Sequence, residues 1–133
     1  MGRRIVLDTT ALIQFERTGQ IPGVKDGDDI ALAPVTLAEF YRGVCAAPTE
    51  EIRKRRGAFY EELTSGESFR LLHYTPATAR EHGELLAHTK IIGQPRGPYD
   101  IIIAAHARET GRQILSGDNK ARFDNLPGVT IAN

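Results

Sequence analysis

The stretch from Asp100 to Thr110, Asp-Ile-Ile-Ile-Ala-Ala-His-Ala-Arg-Glu-Thr, limits the possible fold more than any other segment. Ile101, Ile102, Ile103, Ala104, Ala105 and Ala107 make a helix here apolar nearly all round. Such a helix has no face suited to water, so it must lie inside, and its alanines allow close packing on a sheet. Short apolar runs elsewhere supply that sheet. Ile5–Leu7 reads as a buried strand, Ile30–Ala33 as a second stopped by Pro34, and Phe69–Tyr74 as a third. Gln113–Ser116 and Val129–Ile131 read as a fourth and a fifth. Helical spacing predicts helices over Thr9–Arg17, Thr36–Ala47 and Glu50–Thr64. Another begins at Pro76 with Thr75 as its N-cap and runs to about Lys90. Gly19–Asp29 and Gly93–Pro98 read as loops. Alternation of strand and helix throughout predicts one α/β domain over residues 1–133. Its mainly parallel sheet would have about five strands flanked by helices.

Charge narrows the function. Lys and Arg together number 17, as do Asp and Glu, so the formal net charge is zero. A passive binder of nucleic acid, held by a bulk positive field, is excluded; nucleic acid as a substrate is not. Cys45 is the single cysteine, which excludes an internal disulfide and a cysteine-based zinc finger and fits a reducing cytoplasm. Arg3 and Arg4 precede only three apolar residues before Asp8, too few for a signal peptide. No run approaches the ~18 apolar residues of a membrane helix. The chain is therefore expected to be cytoplasmic, with no membrane partner.

Ligands of open α/β sheets sit beyond the carboxyl ends of the strands. Asp8 directly follows the first strand, and Asp118 lies two residues after Ser116 of the fourth. Glu39 falls in the first turn of the helix after the second strand, and Asp100 opens the buried helix. Each acid also has a purely structural use. Asp8 and Asp100 suit helix caps, Thr36-Leu-Ala-Glu39 has the form of a capping box, and Ser116-Gly-Asp118 suits a turn. Together they say more. Two carboxylates about 4 Å apart repel by about 4 kcal/mol at an effective dielectric of about 20. Four brought to one edge need protons or a cation. All-oxygen ligands favour Mg²⁺ or Mn²⁺, which activates water and stabilises charge on a phosphodiester.

The segments carrying these acids resemble those of PIN-domain ribonucleases, and among them the VapC-type toxins of bacterial toxin–antitoxin pairs. The resemblance rests on Ile5-Val-Leu-Asp-Thr-Thr-Ala-Leu-Ile13 and Val35-Thr-Leu-Ala-Glu-Phe-Tyr-Arg-Gly-Val44. It continues in Tyr99-Asp-Ile-Ile-Ile-Ala-Ala-His-Ala107, Gln113-Ile-Leu-Ser-Gly-Asp118, Phe123 and Leu126-Pro-Gly-Val129. It implies a PIN-like domain in which Asp8, Glu39, Asp100 and Asp118 form the catalytic acidic set. Asp8 and Asp100 would be the most direct ligands of Mg²⁺ or Mn²⁺, with Thr9 and Ser116 as supporting hydroxyls. The implied activity is endoribonuclease cleavage of RNA by a metal-activated water. The implied partners are a small cognate antitoxin and a second copy of the chain in a homodimer. Exposed apolar residues on the helices of residues 36–64 are the expected antitoxin contact.

Other features are less specific. The run Arg53-Lys-Arg-Arg56 suits a solvated helix face or an RNA-backbone contact. Arg42, three residues after Glu39, is the best lone candidate for RNA. His82 reads as a core histidine on a stripe with Ala79 and Leu86. His73, His88 and His106 have no metal-ligand spacing among themselves or with Cys45. A phospho-receiver domain would need an acid pair after the first strand and an acid after the third, where Tyr74-Thr-Pro stands. A non-catalytic PIN-like binding module would have no need for all four acids.

Overall fold

Ile5, Val6 and Leu7 are completely buried, and the sheet is built outward from them. The computed structural model of the chain describes residues 2–93, 96–117, 123 and 125–133. Along the chain come β1 (Arg4–Leu7), α1 (Thr9–Thr18), β2 (Asp29–Leu32), α2 (Pro34–Cys45) and α3 (Glu50–Thr64). They are followed by β3 (Arg70–Leu71), α4 (Pro76–Ile92), α5 (Pro98–Thr110) and β4 (Gln113–Leu115). The four strands are ordered β3-β2-β1-β4 and every pairing is parallel. The register sets Val6 beside Ala31 on one side and Ile114 on the other.

The expected fifth strand is reduced to one bridge, Ile114 to Ile131. Two hydrogen bonds hold it, from Ile114 N to Thr130 O at 2.9 Å and from Ala132 N to Ile114 O at 2.8 Å. Strand β4 is only three residues long and offers no further rungs. The third strand is likewise shorter than Phe69–Tyr74, because the chain turns away at Thr75 to cap α4. Helix α2 starts earlier than expected, with Ala33 as N-cap and Pro34 in the first turn. Proline fits there because its fixed φ suits the helix and the missing N–H is not needed. Thr36 then lies inside the helix, completely buried, so the capping box with Glu39 does not form.

Side chains alternate across the sheet, as strand geometry requires. Ile5, Leu7, Leu32 and Leu115 join a core with Leu12, Phe40, Val44 and Leu63 of α1–α3. Val6, Ala31 and Ile114 join the other core with Leu85, Ile101, Ile103 and Ala104 of α4 and α5. Helix α5 touches β1, β4, α2 and α4, which is why its sequence is apolar on nearly every side. Strands β1, β2 and β3 step outward in one direction, and the connection through α4 and α5 returns to place β4 on the far side of β1. The chain therefore leaves β1 and β4 in opposite directions, the arrangement that opens a crevice at the carboxyl ends of a parallel sheet.

The run Arg53–Arg56 mainly anchors α3. Arg53 donates to Cys45 O at 3.2 Å and Arg56 to Gly43 O at 2.9 Å, so both hold carbonyls near the end of α2. Lys54 and Arg55 remain on the exposed face. His82, expected in the core, is not the buried histidine. Ala79 and Leu86 are exposed, and the buried stripe of α4 is Thr78, Leu85 and Thr89, with His82 half-buried beside it. His82 Nδ1 is 2.8 Å from the Tyr74 hydroxyl. The core histidine is His106, which is 1% exposed. Neither ring nitrogen of His106 has a hydrogen-bond partner among the described residues.

Burial, and secondarily the proximity of His82, hold the His106 imidazole below its ordinary range, and burial does the same to His82. A histidine whose folded pKa is depressed binds its proton more readily in the unfolded chain. Stability therefore falls as pH drops below the unfolded value of about 6.5. Urea midpoints are expected to decline between about pH 7.5 and 5.5 in the wild type and to decline less in His106→Leu. Equal slopes in the two proteins would show that His106 does not carry this acid sensitivity.

Candidate active site

The carboxyl edge of β1 ends in Asp8, which is 1% exposed and accepts hydrogen bonds at both carboxylate oxygens. Its Oδ1 accepts from Thr10 Oγ1 at 2.8 Å, Ala11 N at 2.9 Å and Gly117 N at 3.3 Å. Its Oδ2 accepts from Ser116 Oγ at 2.5 Å. The bond to Ala11 makes Asp8 the N-cap of α1, so its structural use is real. A negative charge is also favoured there by the helix dipole. The bonds to Ser116 and Gly117 do something a cap does not: they tie the end of β1 to the turn that leaves β4. Asp8 N to Leu115 O at 3.1 Å extends the same junction along the backbone.

Glu39 lies one turn into α2, which begins directly after β2 and so starts at the same edge. Thr9 Oγ1 donates to Glu39 Oε1 at 2.5 Å. Adjacent threonines thus divide the work, Thr9 holding Glu39 and Thr10 holding Asp8. Asp100 lies in the first turn of α5. Because α5 runs down to Gly111 and the chain then climbs β4 parallel to β1, that first turn also lies toward the carboxyl edge. Asp8, Glu39 and Asp100 therefore share one edge. Among the described residues, no three His, Cys, Asp or Glu side chains form a ready cluster for a metal ion. Asp118, the fourth expected acid, lies outside the described residues.

The two ends of the sheet treat their acids differently. At the amino edge, Asp28 is paired with Arg3 Nη2 at 2.8 Å. The hydrogen bonds from Arg3 hold the Asp28 carboxyl at about 2. Asp29 is paired with Arg70 at 3.1 Å and with the buried Arg112 at 3.2 Å, and its carboxyl is likewise lowered, first by the bond from Arg70. At the carboxyl edge, the donors to Asp8 and Glu39 are hydroxyls and backbone amides. Neither acid has an ion pair among the described residues. Neutral donors orient a carboxylate without bringing an opposite charge to it. All the oxygens here are hard donors, and Asp8 Oδ2 and Glu39 Oε1 each carry a single described hydrogen bond. This set suits Mg²⁺ or Mn²⁺ better than a soft metal.

Glu39 also stands between two pockets. One, of about 140 Å³, is bounded by Ile13, Glu16, Arg17, Phe40, Gly43 and Arg56. The other, of about 100 Å³, is bounded by Val35, Ala38, Arg42 and Tyr99. Arg42, Arg17 and Arg56 therefore flank an acid rather than neutralise it.

The family model of the PIN domain matches residues 5–129. The chain belongs to the PIN-domain family. Ribonuclease VapC5 of Mycobacterium tuberculosis is 32% identical over 127 residues, covering 95% of this chain and 92% of the relative. The tRNA(fMet)-specific endonuclease VapC of Shigella flexneri is 31% identical over 100 residues, covering 75% of this chain and 71% of the relative. The crystal structure of VapBC-5, a toxin–antitoxin system of Mycobacterium tuberculosis, superposes with a TM-score of 0.75 at 30% identity over 98% of both chains. This PIN domain is therefore of the VapC type.

Thr10 and Gly117 were not singled out from the sequence. Thr10 Oγ1 donates to Asp8 and accepts from Gly117 N at 3.0 Å, joining acid and turn. A Cβ on residue 117 would stand 2.8 Å from Thr10 Oγ1 and 3.0 Å from the Thr10 carbonyl carbon. The paired threonines after Asp8 and the glycine after Ser116 are visible signals, but neither shows that they meet. Thr10→Val is expected to cost about 1–3 kcal/mol by removing a donor from a buried charge. Gly117→Ala is expected to cost about 1–3 kcal/mol by forcing the turn off α1. Gly83→Ala, where a Cβ meets nothing within 4 Å in the middle of α4, serves as the control. It should gain about 0.5–1 kcal/mol. Urea denaturation of the three variants checks all three signs.

Proposed function

We propose that this PIN domain is a divalent-metal-dependent endoribonuclease, the toxin of a toxin–antitoxin pair, with Asp8, Glu39, Asp100 and Asp118 as its acidic set. The observation that carries this reading is the contrast between the two edges of the sheet. Acids at the amino edge are matched with arginines, whereas Asp8 and Glu39 are buried or held among neutral donors at the switch point. Names of the relatives support the same reading: ribonuclease VapC5 and tRNA(fMet)-specific endonuclease VapC.

Asp8 and Asp100 would hold Mg²⁺ or Mn²⁺, with Glu39 and Asp118 completing the site. Such an ion, when bound, lowers the pKa of water and offsets charge on a phosphoryl oxygen. The protein's own contribution is orientation. Ser116 and Thr10 fix the Asp8 carboxylate, and Thr9 fixes Glu39. Arg42 draws the RNA backbone toward that edge. A small antitoxin would cover the groove bordered by α2 and α3, a homodimer would be the assembled form, and the cytoplasm the place of action. The domain would span residues 1–133. No helix among the described residues is long and apolar enough to cross a membrane.

A phospho-receiver reading fails at β3, which leads into Leu72-His73-Tyr74-Thr75 with no carboxylate to accept a phosphoryl group. Incubating the purified protein with total RNA and Mn²⁺ is expected to yield discrete fragments, with no cleavage in excess EDTA. Asp8→Asn and Asp100→Asn are each expected to lower the rate by about 10²-fold or more, the scale on which transition-state charge stabilisation is lost. Intact RNA from wild type and variants alike would overturn the nuclease reading.

A further inference from the structure

The pocket between α2 and the first turn of α5 has a composition that the acidic set does not explain. Val35 and Ala38 give it apolar walls, Glu39 borders it, and Arg42 and Tyr99 stand at its rim. Of the four tyrosines, Tyr41 and Tyr60 pack edge to face on each other, and Tyr74 packs on His82 and His106. Tyr99 is 45% exposed and has no ring or hydrogen-bond partner among the described residues. Arg42 is exposed and its guanidinium is likewise unpaired among the described residues. An open aromatic ring, an unpaired cation and two small apolar residues adjoin Asp100 in sequence and Glu39 in space.

We propose that this pocket is a nucleobase subsite. One base of a single-stranded RNA stacks on Tyr99 over Val35 and Ala38, and Arg42 takes an adjoining phosphate. The proposal rests on the ribonuclease reading and names how that site selects its substrate. Every base has a face that stacks on an aromatic ring, so such a subsite tolerates sequence. It demands instead an unstacked base, which a duplex does not offer. A base seated beside Tyr99 brings its own phosphodiester to the edge that holds Asp100 and Glu39. Charge fits as well: Arg42 attracts the backbone while the acids themselves would repel it.

The test uses the full chain in EDTA, so that binding is read without cleavage. The probes are a fluorescein-labelled short oligouridylate and an abasic ribose-phosphate chain of equal length. Tyr99→Ala is expected to weaken oligouridylate binding about tenfold, within the usual range for loss of one stacked base. It should leave binding of the abasic chain unchanged, and Tyr99→Phe should bind like wild type. Arg42→Gln is expected to weaken both probes and to lower the slope of log K against log salt by about 0.7, one phosphate on a single strand. Tyr99→Ala should not alter that slope. Equal affinity of wild type and Tyr99→Ala for oligouridylate, or equal weakening of both probes, overturns the subsite. A parallel assay with Mn²⁺ separates the two readings. Wild type that cuts RNA while Tyr99→Ala cuts it with the same KM overturns the subsite alone. Wild type that neither binds nor cuts RNA overturns the nuclease reading and the subsite with it.

Discussion

A carboxylate that is 1% exposed must either find donors or lose its charge, and the carboxyl edge of this sheet is organised around giving Asp8 its donors. They come from three places in the chain: Thr10 and Ala11 at the start of α1, Ser116 at the end of β4, and Gly117 in the turn beyond it. Hydrogen bonds to charged groups are the stronger kind, and loss of one leaves a buried charge partly unsatisfied. The ends of β1 and β4 are thereby held in register at the point where the chain departs in opposite directions. Glu39 joins the arrangement through Thr9, so the two adjacent threonines serve two acids.

The opposite edge shows what the same residue types do when stability alone is concerned. Arg3, Arg70 and Arg112 surround Asp28 and Asp29, and Arg112 also donates to the Ile5 and Asp29 carbonyls. Those contacts bind the start of β1, β2 and β4 together. A chain of zero net charge has therefore separated its charges by position. Paired ions lie at the amino edge, whereas Asp8 and Glu39 at the carboxyl edge have no ion pair among the described residues and have arginines nearby. That distribution makes the neutral composition compatible with the proposed RNA substrate, since the attraction needed is local to a groove rather than spread over the surface.

How much was legible depended on the range of the interaction. Ile5–Leu7 and the Asp100–Thr110 helix were readable because burial on all sides leaves an apolar run in the sequence. Thr75-Pro76 was readable because capping is decided within a few residues. The Thr36–Glu39 pattern misled because Pro34 had already begun the helix. His82 misled because a stripe on α4 does not say which flank faces α5, and the core position went to His106. Arg53 and Arg56 read as a solvated face or an RNA contact, and the structure gives them a further use that the sequence does not show, holding the carbonyls of Cys45 and Gly43. The length of the strands was also hidden, since β3 and the Ile131 bridge are cut short by what their neighbours can pair with.

The sequence by itself determined the class of fold, the order of its elements and the position of Asp8, Glu39 and Asp100 along them. Those follow from local periodicity and from the handedness of parallel connections, which act along the chain. Only the tertiary structure decided which donors each acid receives. Thr10 and Gly117 lie 107 residues apart in the chain and meet at 3.0 Å, a contact that no local pattern encodes. The strand order made it, because placing β4 beside β1 brings the last turn of the fold against the first helix. Whether a carboxylate becomes an ion pair or stays an unpaired charge is set by which donors surround it. Those surroundings are assembled from distant segments.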